Sequence, residues 1–149
     1  MIDANTKDQA APPKPEDTVV AFISCINRHD VTGLTGMMTD DHIFIDSLGT
    51  IVRGREEMRK AWIGYFYLIP DYTIRANQLF RKEDTVVVVG TARGTYAVGG
   101  KLLERNKWEI PIAIRAIVQQ GRLAGWQVYA DNEPVRQLMA GQGEEKPGR

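Results

Sequence analysis

The sequence predicts an α+β fold: a cone-shaped, curved antiparallel sheet wrapped by three N-terminal helices. Three observations predict it. Apolar residues recur at helical spacing up to Pro70, then switch to the alternation of strands. The later β runs are long and joined by short turns rich in glycine and charge, as in a meander. Helices first and strands last is the order of a sheet covered on one face. Strands this long twist and curl, and helices closing the curled side would leave an interior.

The elements follow in order. Residues 1–15 are polar and end in "APPKP", a composition that favours a mobile tail. The segment "GQGEEKPGR" from Gly141 reads the same way, leaving 16–140 as one domain. In "PEDTVVAFISCINRHD", Pro15 suits a first helical turn and Glu16 and Asp17 favour the positive end of the helix dipole. Val19, Phe22, Ile23 and Ile26 then form one buried stripe. Asp30 is placed to cap a second helix through "VTGLTGMM", with Leu34, Met37 and Met38 facing inward. "HIFIDSLGTIVRG" alternates, with Ile43 and Ile45 on one face and Phe44 and Asp46 on the other. Gly54 opens a third helix, apolar along Met58, Ala61, Trp62, Tyr65 and Phe66 and ended by Pro70. Four strands follow in "YTIRANQLF", "VVVVGTARGTYAV", "LLERNKWEIPIAIRAIVQQ" and "LAGWQVYAD".

The totals bound the function. A chain of 149 residues is expected to form one domain. It can bury about two-thirds of its unfolded surface and needs no metal or disulfide to fold. The 43% apolar and 26% charged fractions are those of a soluble globular protein. With 19 basic and 19 acidic residues, the zero net charge argues against a nucleic-acid or anionic-membrane partner and leaves little repulsion against self-association. The single Cys25 lies in the apolar run "VVAFISCI", as a buried structural thiol does. The N-terminus carries no apolar run and no window reaches membrane-spanning length, so the expected location is cytoplasmic. Asp40, Asp41 and His42 sit where a turn meets a strand; neither a metal nor a cofactor is expected there.

Five segments, "FISCINRHDVTGL", "DDHIFIDSLGTIVRGREEMRKAW", "PDY", "GTARGTY" and "GRLAGWQVYAD", follow one another between residues 22 and 131 and carry a resemblance that covers 16–139. In this order the chain resembles the nuclear transport factor 2-like superfamily, which includes SnoaL-like polyketide cyclases, ketosteroid isomerases and limonene epoxide hydrolases. The resemblance implies a curved sheet around a pocket and a homodimer through the outer sheet face, where Arg115, Ile117 and Tyr129 would sit. It does not imply one reaction, because the fold hosts many.

Each chemistry of the superfamily can be tested against the residues present. The isomerase pattern pairs a carboxylate base with neutral donors in an apolar pocket. Asp46 matches the base, but Phe22 stands at the donor tyrosine and Ile114 at the protonated acid. One such donor is worth about 2.7–4 kcal/mol. The epoxide hydrolase pattern needs an Asp–Arg–Asp set; Arg93 fits the arginine, whereas Thr95 and Val128 replace the acids. The cyclase pattern asks only for an acid/base, which Asp46 supplies, alone or with Arg93 holding an oxygen.

If Asp46 and Arg93 point inward, alternation adds Phe44, Thr95, Ile114, Trp126 and Val128 to the wall, and Trp62 and Phe66 form a lid. Such a cavity suits a small hydrophobic or aromatic ligand with one polar handle. For Asp46 two roles stay open: pocket acid, or strand-end residue bonding the following turn. Pairing with Arg93 would lower its pKa and favour anchoring over proton transfer. The expected function is therefore a cyclase- or isomerase-type enzyme acting on a hydrophobic carbonyl compound. The alternative is a non-catalytic ligand-binding or dimeric accessory domain.

Overall fold

The computed structural model describes residues 11 and 13–144, with side chains up to residue 141. Of the expected tails, 1–15 and 141–149, residues 1–10, 12 and 145–149 lie outside the described residues.

Helix α1 (Pro15–Asn27) begins on Pro15 with Glu16 and Asp17 in its first turn, and it buries Val19, Phe22, Ile23 and Ile26. It stops at His29, whose φ of 56° reverses the backbone hand. The Asn27 amide bonds both backbone groups of Ile74, at 2.8 and 2.9 Å, pinning the helix end to the sheet. Asp30 caps α2 (Val31–Gly36) by accepting from the Gly33 N–H at 2.9 Å. That helix ends at Gly36, and the expected last-turn residue Met38 instead opens strand β1 (Met38–Ile45). A short β2 (Ile51–Arg53) folds back on β1, and Gly54, at φ 93°, leads into α3 (Arg55–Leu68).

The meander is β3 (Thr73–Lys82), β4 (Thr85–Thr95), β5 (Lys107–Gln119) and β6 (Arg122–Tyr129). Gln120 and Gly121, at φ 51° and 75°, make the two-residue turn between β5 and β6. The six strands lie in the order β2-β1-β6-β5-β4-β3. The sheet is mixed, not purely antiparallel, because β1 runs parallel to β6. The cause is connectivity: α3 carries the chain across between β2 and β3, so the fourth meander strand returns beside β1 in the same direction.

The sheet bends where β3 bulges between Ala76 and Gln78, opposite Gly90. A Cβ at Gly90 would collide with the Arg75 carbonyl oxygen, so only glycine lets the two backbones close there. Helix α1 packs on the concave face, with Phe22 and Trp126 rings 4.8 Å apart.

A fourth helix, α4 (Glu133–Glu144), adds to the three expected and runs past Gly141, where the tail was expected to begin. Asp131 starts it by accepting from the Glu133 N–H at 3.0 Å. Val135 is buried, with Leu138 and Met139 partly buried against the core. Cys25 is a buried free thiol.

Candidate active site

A cavity of about 320 Å³ lies between the concave sheet face and α3. Alternation builds the sheet side of it: Ala92 on β4, Trp108, Ile110 and Ile112 on β5, and Trp126 and Val128 on β6. Met58, Ala61, Trp62 and Tyr65 of α3 face them, together with Tyr72. Phe44, Asp46 and Ser47 at the end of β1, and Ala130 and Asn132 after β6, complete the wall.

Asp46 both bonds the following turn and borders the cavity. Its Oδ1 accepts from the backbone N–H groups of Leu48 and Thr50, each at 2.9 Å, which fixes the turn and the carboxylate together. The half-buried side chain also lines the cavity. Beside it, the Asn132 Nδ2 donates to Ser47 Oγ at 2.6 Å.

The aromatic part of the wall carries neutral donors. Tyr65 and Tyr72 meet edge to face with ring centres 4.9 Å apart. Burial pushes both phenols above their ordinary range, and the neighbouring Tyr65 pushes Tyr72 further, so both keep their protons. The indole Nε1 atoms of Trp62 and Trp108 are buried and have no acceptor among the described residues. Sequence reasoning placed Trp62 and Trp126 at the cavity, left Trp108 outside it and Tyr65 on the apolar face of the third helix, and did not single out Tyr72. The available signal was chemical: a buried Tyr or Trp brings a polar end that needs a partner.

Four expected site residues lie elsewhere. In β4 the inward positions are Ala92 and Gly94, so Arg93 points outward into solvent, where its Nε donates to Thr73 Oγ1 at 3.3 Å. The anticipated Asp46–Arg93 pair therefore does not form. Thr95 is buried, yet Asp71 holds it: the Thr95 N–H and hydroxyl each donate to an Asp71 carboxylate oxygen at 2.7 Å, away from the cavity wall. Ile114 is in the solid core beyond the cavity. Phe66 stacks on His29 at 4.2 Å, behind Trp62. Phe44, Asp46, Trp62, Trp126 and Val128 do come together around the cavity. On the outer sheet face, Arg115 and Tyr129 are exposed and Ile117 is half-buried.

His42 is buried, away from the cavity wall, and lies 2.6 Å from the Leu123 carbonyl through Nδ1. Desolvation lowers its pKa, against smaller opposing effects of that hydrogen bond and of Asp41. Among the described residues no group of three or more His, Cys, Asp or Glu side chains could hold a metal ion. No described helix is long and apolar enough to cross a membrane.

The SnoaL-like domain family matches residues 19–126. Among solved structures, a candidate SnoaL-like polyketide cyclase from Shewanella denitrificans OS-217 superposes with a TM-score of 0.75 at 16% identity, covering 87% of this chain and 99% of that one. IdmH, a candidate polyketide cyclase from Streptomyces antibioticus, gives 0.71 at 21% identity, covering 86% and 99%. A protein of ketosteroid isomerase-like fold from Catenulispora acidiphila DSM 44928, in complex with trimethylamine, gives 0.72 at 15% identity, covering 87% and 97%. At such identities the likeness carries the fold alone. No curated protein matches the chain.

Proposed function

The chain belongs to the SnoaL-like domain family, and from that premise we propose that it is a cyclase- or isomerase-type enzyme using Asp46 as general acid/base on a hydrophobic carbonyl compound. One observation carries this reading: a carboxylate, fixed by its own turn, sits in the wall of a largely apolar and aromatic cavity. Proton transfer by a positioned group needs little else when the substrate is itself acidic at carbon. The neutral Tyr65 and Tyr72 phenols supply what the family's isomerase positions lack here, hydrogen-bond donors for an oxygen that gains charge. Two of the structural neighbours are candidate polyketide cyclases, which supports the same class.

A second reading, a non-catalytic ligand-binding or accessory domain, is favoured by the Asp46 Oδ1, which is spent on backbone donors. One experiment separates the two. β-Tetralone, an apolar ketone with an acidic carbon-bound proton, is followed by NMR as it exchanges that proton in deuterium oxide. The wild-type chain is expected to accelerate the exchange, and Asp46→Asn to cut that acceleration by about 100-fold or more, while calorimetry shows binding still in place. Equal exchange in the two proteins, or binding without acceleration by either, would leave the ligand-binding domain as the function.

A further inference from the structure

We propose that Ser47 is a second ligand-contacting residue of this site, its hydroxyl donating to the ligand's carbonyl oxygen, and that Asn132 is the positioning residue that turns it there. This role rests on the reading of Asp46 given above and deepens it.

The geometry is unusual for neighbouring residues. In a continuing strand Asp46 and Ser47 would face opposite sides of the sheet. Here β1 ends at Ile45, and the turn that follows brings both side chains to the same cavity. A serine hydroxyl has one proton and two lone pairs. Asn132 Nδ2 occupies a lone pair at 2.6 Å, which directs the Ser47 proton away from the amide. No acceptor for that proton is found among the described residues. On Asp46, Oδ1 is committed to Leu48 and Thr50, leaving Oδ2 as the oxygen open to a ligand. The turn therefore offers one acceptor and one donor side by side, and apart from Asn132 the remaining wall is apolar or aromatic.

An acceptor beside a donor matches a ketone and the carbon next to it. Asp46 Oδ2 takes the proton from that carbon. The C–H electron pair becomes the carbon–carbon π bond, and the carbonyl π pair moves onto oxygen. The resulting enolate oxygen is held by the Ser47 O–H. Return of the proton from Asp46 to the same or another carbon of the conjugated system restores the ketone, and nothing is oxidised or reduced. The ligand class is thus a bicyclic or larger apolar ketone bearing a carbon-bound proton next to its carbonyl.

Calorimetry with β-tetralone and with tetralin, its analogue without the oxygen, reads this contact directly, because a site built to bond an oxygen discriminates against a ligand that lacks it. The wild-type chain is expected to prefer the ketone. Ser47→Ala should reduce that preference about tenfold, and Ser47→Thr, which keeps the hydroxyl, should retain it. Asn132→Asp is nearly isosteric but presents an acceptor to the Ser47 proton; it should lose the preference as Ser47→Ala does. Ser47→Ala should also slow the proton exchange of β-tetralone with Asp46 intact. A preference unchanged in both Ser47→Ala and Asn132→Asp, or absent from the wild type, overturns the assignment. A lost preference in a chain that never catalyses exchange would leave Ser47 as a ligand contact and remove Asp46 as acid/base instead.

Discussion

The two ends of the cone use one sheet to opposite effect. At the closed end, inward residues Val86, Val88, Ile114, Ala116 and Leu123 meet Val19, Phe22, Ile26 and Leu34 of α1 and α2, all at most 1% exposed. At the other end the same alternation continues through Ala92, Trp108, Ile110 and Ile112, yet about 320 Å³ stays open. That volume is at the small end of ligand pockets, roughly 300–1,000 Å³. The closed end is filled mainly by aliphatic chains, whereas aromatic rings make up much of the wall around the hollow. Around the hollow, Tyr65 stands perpendicular to both Trp62 and Tyr72. These edge-on ring contacts hold the aromatic side chains against each other on the α3 side of the hollow.

Substitutions at the two ends should therefore cost different amounts. Phe22→Ala removes a fully buried ring from the solid end and is expected to cost about 3–5 kcal/mol in urea unfolding. Ile112→Ala, whose side chain already borders open space, should cost only about 2 kcal/mol, the low end for cutting a buried aliphatic chain to alanine, and enlarge the hollow. Equal losses would mean that the hollow end is as tightly filled as the other.

A smaller effect distinguishes the ends by pH. Burial lowers the folded-state pKa of His42 below its ordinary 6.5. Between that lowered value and 6.5 the unfolded chain takes up a proton that the folded chain refuses, so stability falls as pH drops through this window and recovers above it. Urea midpoints at pH 7 and pH 5.5 should show the fall, and His42→Gln should diminish it. His42 belongs to the tightly packed end, where its Nδ1 meets the Leu123 carbonyl, whereas the cavity phenols keep their protons throughout this range. The smallest effect belongs to Arg93. On the outer face its replacement by alanine should change stability by less than about 0.5 kcal/mol and leave calorimetric binding of β-tetralone unchanged. A large loss of binding would put the arginine back into the site.

The closed end was legible from sequence, and the hollow end only in part. The α1 stripe, the Asp30 cap and the phase of β5 and β6 all come from side chains whose burial alternates clearly with polarity. β4 offers no such contrast: four consecutive valines leave its phase undetermined. The resemblance to the epoxide hydrolases suggested an inward Arg93, whereas small Gly90, Ala92 and Gly94 take the inward positions. At Gly94 the reason is visible, since a Cβ there would collide with Ile69 and press on Trp108. The parallel pairing of β1 with β6 is a long-range choice that no local pattern encodes. Helix α4 was overlooked because its glycines and charges mask the spacing of Val135, Leu138 and Met139, which is the i, i+3, i+4 signature of a docked helix. Asp46 was placed correctly at the end of its strand, but the companionship of Ser47 and Asn132 joins residues 85 positions apart and lies beyond any local motif.

The chain has three tryptophans, and all three, Trp62, Trp108 and Trp126, border the hollow. Its tryptophan emission therefore comes entirely from the walls of one chamber, and the arrival of a guest becomes an optical event: quenching by a conjugated molecule, a blue shift when solvent is displaced. The protein is its own unlabelled sensor, and a library of compounds can be screened against it by light alone.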